Sequence, residues 1–304
     1  MPVMPPGRQW TSAGLDERAM IALNGGLAPS ELWSLLLDVM ALRAAARSPA
    51  DLARQWARDP FVQPAYIDQR TLTSLDGHLL AAAHQFEALE LSPLAPLGAC
   101  SVVGLASQNK VVSALRGTEV TSDPTNVFAL ECARRLRADP AQVVRLATCH
   151  RCVRAQQVPK QPGFAQHFRI FCLATSGRES QDHAFLVAAL AEHIQTHLAA
   201  LDRLEQHRYR FHERRVRILA TDARAALGDR VAAALTLPVE RAPLEHPYYG
   251  GIRFMIHVHT RDGADIPLID GGTFDWVGKL AANNRLVFVA SGMGAQLVAY
   301  LFRA

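Results

Sequence analysis

Apolar residues recur at three- and four-residue spacing from Ser30 onward. "SELWSLLLDVMALRAAA" predicts a helix with Ser30 as its N-cap. "SPADLARQWARD" repeats the design, with Ser48 capping, Pro49 in the first turn and an acid early. "SLDGHLLAAAHQFEAL" predicts a third helix ending near residue 89. Residues 1–29 read as a loose lead-in punctuated by proline and glycine, and "GLDERAMIALN" is its helical piece.

Near Leu91 the texture changes. "LSPLAPLGACSVVGL" mixes prolines with short apolar runs, and "KVVSAL" reads as a strand. "DPTNVFALECARRLRA" predicts a helix capped by Asp123, with Pro124 in its first turn and basic residues at its end. Two strands follow, "QVVRLATCHRCVRAQ" and "QHFRIFCLATSG", joined by the linker "QVPKQPG". Residues 181–206 have the pattern of a long amphipathic helix. "RRVRILATD" is a strand and "ARAALGDRVAAAL" a helix. Strands "GGIRFMIHVHTRD" and "IPLIDGG" come next. The tail "RLVFVASGMGAQLVAYLFRA" reads as strand, glycine turn and helix. Hairpins and isolated helices link the strands, without regular βαβ alternation. The expectation is an α+β fold with a mainly antiparallel sheet.

Composition changes this picture little. The 304 residues suffice for one large domain or two modest ones, and 49% hydrophobic with 20% charged residues is ordinary globular content. The net charge of +4 is too small to argue for nucleic acid by itself. Arginine is dense in "HRYRFHERRVR", residues 207–217, which reads as a solvated helix end running into a strand, with an RNA or phosphate contact as the alternative. The start "MPVMPPGRQW" lacks the pattern of a signal peptide, and no apolar run approaches the roughly 20 residues of a membrane span. Five irregularly spaced cysteines then imply a cytoplasmic protein with reduced thiols and no membrane partner.

"CHRC", residues 149–152, carries the first candidate chemistry. A zinc ribbon needs a second ligand pair, which Cys100, Cys132 and Cys172 do not supply. A c-type haem needs histidine after the second cysteine, where Val153 stands. A thioredoxin-like site needs a helix N-terminus, and the flanks "RLATCHRCVRA" look extended. On a strand, Cys149 and Cys152 point to opposite faces, so they share neither an ion nor a disulfide. His150, Cys152, Arg154 and Gln156 share one face.

Two strands joined by a loop, with arginine near the end of the first ("CVRAQ") and phenylalanine early in the second ("GFAQHFRIFCLA"), resemble motif 2 of class II aminoacyl-tRNA synthetases, in the histidyl-tRNA synthetase branch. Arg154 falls on the motif arginine and Phe168 on the phenylalanine that packs against adenine. "LRGTEVTSDPTNVFALECARRL" resembles the branch's Leu-Arg-Pro-Glu-x-Thr segment, with Glu119 and Thr121 on its glutamate and threonine. "HPYYGGIRFMIHV" puts Tyr249 on a substrate-contacting tyrosine. "DGGTFDWVGKL" resembles the Gly-Gly-Arg-Tyr-Asp turn and places Phe274 on its tyrosine. "FVASGMGAQL" resembles motif 3, and "LSPLAPL" resembles motif 1. The resemblance covers roughly residues 70–304. It implies a class II synthetase-like core domain there, an antiparallel sheet flanked by helices, preceded by an N-terminal helical segment over residues 1–69. Because motif 1 builds the dimer interface in this family, it also implies a homodimer. The sequence ends at Ala304, shortly after motif 3, so an anticodon-binding domain is not expected, nor is tRNA as a partner.

The departures bear on chemistry. The motif 2 glutamate position holds Gln156 and the motif 3 arginine position holds Leu297, which removes a clamp on the terminal phosphates of ATP. The branch's pocket glutamine and glutamate fall on Ile170 and Ala174, and its arginine before the tyrosine pair on Leu244. Histidine is therefore not the expected substrate. The resemblance implies Glu119, Thr121 and Tyr249 as substrate-binding residues, with Phe274, Cys152 and Cys172 lining the same pocket. Arg154 and Gln156 are the candidate catalytic pair. Arg154, Phe168 and Arg169 are the candidate ATP contacts, with Mg²⁺ as the accompanying ion and Arg169 or Arg253 in place of the missing cation. Cys152 and Cys172 read as core residues. A zinc or nucleophile site built from them with His150, His257 and His259 is the alternative, and zinc is not expected. Asp270 and Asp275 flank a Gly-Gly turn, and turn chemistry alone explains acids there. Two functions stay open. One is a binding or regulatory paralogue for an amino-acid-like or nucleotide ligand, with a protein partner, as the regulatory subunit of ATP phosphoribosyltransferase exemplifies. The other is an ATP-dependent ligase that activates an amino acid or small carboxylate for a carrier protein or small-molecule acceptor.

Overall fold

The computed structural model describes residues 16–156, 164–245 and 248–304. The beginning of the lead-in and the linker "QVPKQPG" lie outside the described residues.

The first helices are α1 (Glu17–Ile21), α2 (Pro29–Ala45) and α3 (Pro49–Arg58). Ala28, not Ser30, is the N-cap of α2. Pro29 presets the first turn, and the Glu31 carboxylate reaches back to accept from the Ala28 N–H at 2.9 Å. Ser48 caps α3 as its sequence signals, in a reciprocal box with Asp51. No residue of α2 or α3 is buried.

α4 (Gln69–Ala82) begins and ends earlier than its apolar period suggests. Asp68 caps it, and the chain after it turns into β1 (Glu87–Ala88). A small antiparallel sheet follows, built from β2 (Leu94–Pro96), β3 (Ser113–Ala114) and β4 (Thr118–Val120) in the order β2-β4-β3. α5 (Pro124–Ala138) is capped by Asp123 as expected.

The main sheet contains β5 (Val144–Val153), β6 (His167–Arg178), β7 (His212–Ala220), β8 (Val239–Pro243), β9 (Ile252–His259), β10 (Asp265–Phe274) and β11 (Leu286–Met293). Its order is β1-β5-β6-β11-β10-β9-β7-β8, with every interior pairing antiparallel and only the two edge pairings parallel. The helices α6 (Ala184–Glu205), α7 (Ala225–Ala233), α8 (Trp276–Ala281) and α9 (Ala295–Leu301) complete the α+β architecture.

Strand alternation divides the core in two. Cys149, Phe171, Leu173, Phe254, Ile256 and Val289 face α4, α6 and α9. Leu146, Cys172, Ala174, Phe288 and Ala290 face the other way, toward α5 and α8. Against the expectation from the sequence, Gln181–Glu205 has the length and hydropathy of a membrane span, yet 56% of its apolar window is buried inside the protein. Packing on the sheet accounts for its composition. At its centre His193 and His197 both bond the Ser291 hydroxyl, at 2.8 and 2.9 Å, and His193 also bonds Thr175. Burial pushes the His197 imidazole down to about 3 and that of His193 well below its ordinary value.

Candidate functional site

The end of β5 sets the first functional side chain. The Arg154 N–H donates to the Gln166 carbonyl at 2.8 Å, holding the backbone to the start of the next strand. Its Nε donates to the Ser122 carbonyl at 3.0 Å, its guanidinium lies 3.5 Å from Asp123, and it stacks 5.1 Å above the Phe168 ring. Asp123 is fixed in turn, because its Oδ1 accepts from the Thr125 N–H and hydroxyl.

Two cavities of about 310 and 320 Å³ adjoin here and share Asp123, Arg154 and Tyr248. The first is walled by residues 104–106, with Lys110, Asn126 and Gln156 on its lining. Asn126 is 4% exposed, and its Oδ1 has no partner among the described residues. The second lies over the sheet. Ile170, Cys172, Ala290 and Gly292 make an apolar floor, and Asp270, Tyr249 and Phe274 stand around it.

The aromatic wall is cooperative. Phe274 stacks on Trp276 at 4.0 Å, and Tyr248 meets both rings edge-on. Tyr249 lies on the strand because position 272 is glycine, where a Cβ would collide with its ring. Arg253 grips Asp270 with two bonds of 2.8 and 2.7 Å and lies 5.1 Å over Tyr249. Burial and the Asp270 carboxylate push the Tyr249 phenol well above its ordinary range, so it stays a neutral donor.

No protein-family model matches the chain, and no curated protein sequence does. Solved structures do match it. A Bacillus halodurans C protein described as an ATP phosphoribosyltransferase regulatory subunit/histidyl-tRNA synthetase aligns over 79% of this chain and 82% of its own, with TM-score 0.58 and 15% identity. A histidine–tRNA ligase subunit of Alicyclobacillus acidocaldarius aligns over 80% and 96%, with TM-score 0.58 and 13% identity. Apo S. aureus histidyl-tRNA synthetase aligns over 76% and 64%, with TM-score 0.54 and 11% identity. The fold is that of class II aminoacyl-tRNA synthetases. At these identities the likeness is one of fold, and activity has to be argued from the site.

Within this synthetase-type core, Arg154, Gln156, Tyr249, Phe274 and Cys172 gather on the cleft. Phe168 lies beneath Arg154, and Cys152 is fully buried opposite it. Burial raises both the Cys152 and Cys172 thiols, which favours the neutral thiol over the thiolate. No cluster of three or more His, Cys, Asp or Glu occurs among the described residues. His257 and His259 of β9 stand with Asp265 of β10, away from the two cysteines.

Three expected contacts have other partners. Arg169 is not a cleft cation. With Phe168 and Ile170 facing the cleft, strand alternation turns it to the opposite face, where it pairs with Asp76 of α4. Glu119 is buried, and its carboxylate accepts from the Gly98 and Cys100 N–H groups and the Gln108 amide, each at 2.8 Å. It therefore cinches the loop that walls the first cavity and does not line the cleft. Thr121 donates to the Ser92 carbonyl at 3.2 Å, an internal joint. Leu297 is half-buried and packs against the core on the α6 side. The sequence reading missed Asn126, and it took Asp123 only for a helix cap. An N-cap acid that follows a sheet strand and precedes a candidate motif 2 was the available signal.

Proposed function

We propose that this synthetase-type core binds an amino-acid-like zwitterion in the cleft over the sheet and serves as a binding or regulatory protein. The observation that carries the reading is the pairing on the cleft rim. Arg154, oriented by Asp123, suits a carboxylate, and the Asp270 carboxylate, oriented by Arg253, suits an ammonium, above a cavity of about 320 Å³. The residues do not fit ATP with Mg²⁺. Arg154 already covers the Phe168 ring, Arg169 is on the far face and Leu297 is half-buried against the core. A triphosphate would meet Arg154 and Lys110 on the cleft, with neither Arg169 nor a motif 3 arginine to join them. A regulatory subunit built on the same fold supports the reading by analogy, and with it a protein partner.

A thermal-shift titration tests this. Amino acids should raise the unfolding midpoint as RT ln(1 + [L]/Kd), Arg154→Ala should abolish the rise, and ATP with Mg²⁺ should leave the midpoint unchanged. A shift with ATP that disappears in Arg154→Ala would overturn the reading in favour of the ATP-dependent ligase.

A further inference from the structure

We infer that the ligand of this cleft is an α-amino acid with an aliphatic side chain, and that Gly292 sets the size of that side chain. The inference rests on the zwitterion reading above and goes beyond it. The floor offers a ligand side chain only carbon and sulfur, from Ile170, Cys172, Ala290 and the Gly292 backbone. Burial keeps the Cys172 thiol protonated, so it supplies no charge. The polar groups stand on the walls: Asp123, Thr125, Arg154 and Asp270 as capping and ion-pairing groups, with the phenols of Tyr248 and Tyr249 beside them. An imidazole, hydroxyl or amide seated on this floor would find no hydrogen-bond partner in the floor itself. An aliphatic group loses nothing.

Gly292 makes the slot. Its backbone is extended on β11, directly opposite Cys172, and it needs no left-handed conformation. A Cβ at this position would lie 3.1 Å from the Ile170 Cδ1 and 3.4 Å from the Cys172 sulfur. Those neighbours are a flexible side-chain end and an ordinary contact, so the chain tolerates a methyl there while the methyl fills the slot. A methyl at 292 would press against Ile170 and Cys172 and take up part of the floor on which a ligand side chain would rest.

Isothermal titration of the full-length protein with alanine, valine, leucine and histidine tests the inference, alongside Gly292→Ala. In the wild type at least one aliphatic amino acid should bind about tenfold or more tighter than histidine. In Gly292→Ala the preference should move toward the smaller side chain, with leucine weakened more than alanine. A general loss of fold would weaken all ligands alike and would show in the circular dichroism, and Ile170→Ala, which enlarges the same slot, should shift preference the opposite way. Histidine binding tighter than every aliphatic amino acid would overturn the inference and leave the zwitterion reading standing. Binding by none of the four would overturn both.

Discussion

Gly271 shows how one residue can hold a sheet to its helix. It lies beside Gly272 but faces the opposite side, where a Cβ would strike the Ser291 Cβ and come within 2.7 Å of the Phe254 ring. Ser291 is also the hydroxyl on which His193 and His197 converge, so it cannot yield cheaply. Gly271→Ala should destabilise the protein by about 2 kcal/mol or more, as overpacking in a filled core does. Gly77, inside α4, has nothing within 4 Å of its would-be Cβ, and Gly77→Ala should stabilise by about 0.5–1 kcal/mol. Urea denaturation of both variants checks the contrast, and equal effects would refute it. The same scale explains which site residues the sequence could disclose. Cys172 lines the cleft where strand alternation on β6 places it, and Arg154 and Gln156, just past the end of β5, line it where motif position places them. Arg169 was misassigned although alternation alone excludes it once Phe168 is placed on the cleft. Glu119 could not be assigned from sequence, because its partners Gly98, Cys100 and Gln108 come from a loop whose path is set by tertiary packing.

Elements with strong period and caps were read well, namely α3, α5, β5, β6 and the strand–turn–helix of the tail. The errors fall on short pieces. β1 and β8 are edge strands that pair in parallel with distant partners, so their own sequence carries little signal. α4 was displaced because its apolar period runs on past Ala83 while tertiary pairing claims residues 87–88 for the sheet. The motif 1-like segment forms β2, and it leaves Leu94 and Leu97 at 42% and 46% exposure, with Val102 and Leu105 exposed nearby. Side chains of this kind on one edge favour burial against a second copy. Sedimentation velocity should show a homodimer, and Leu94→Asp combined with Leu97→Asp should shift it to monomer. A wild-type monomer at micromolar concentration would rule the arrangement out.

Across the whole molecule, acid should act first through the helix–sheet interface. His193 and His197 are fully buried between α6 and the sheet and bonded to Thr175 and Ser291. Burial is the main cause that lowers both imidazoles, and His193 is lowered further by its neighbour and by Arg145. The unfolded chain takes up protons on these groups near 6.5, whereas folded His197 does so only at about 3. The folded state therefore binds fewer protons between those values. The stability these groups contribute is fully present above 6.5 and falls as the pH drops below it, by about 1.4 kcal/mol per pH unit for each histidine. Most carboxylates titrate lower, so the loss between pH 6 and 5 belongs chiefly to such histidines. His197→Phe keeps a ring against Phe171, which the imidazole now meets edge-on at 5.6 Å, and removes one proton site. Denaturation midpoints measured across this range should decline in the wild type and decline less steeply in His197→Phe. Identical slopes would mean that His197 opens to solvent before it titrates, and that the helix–sheet interface is looser than its packing indicates.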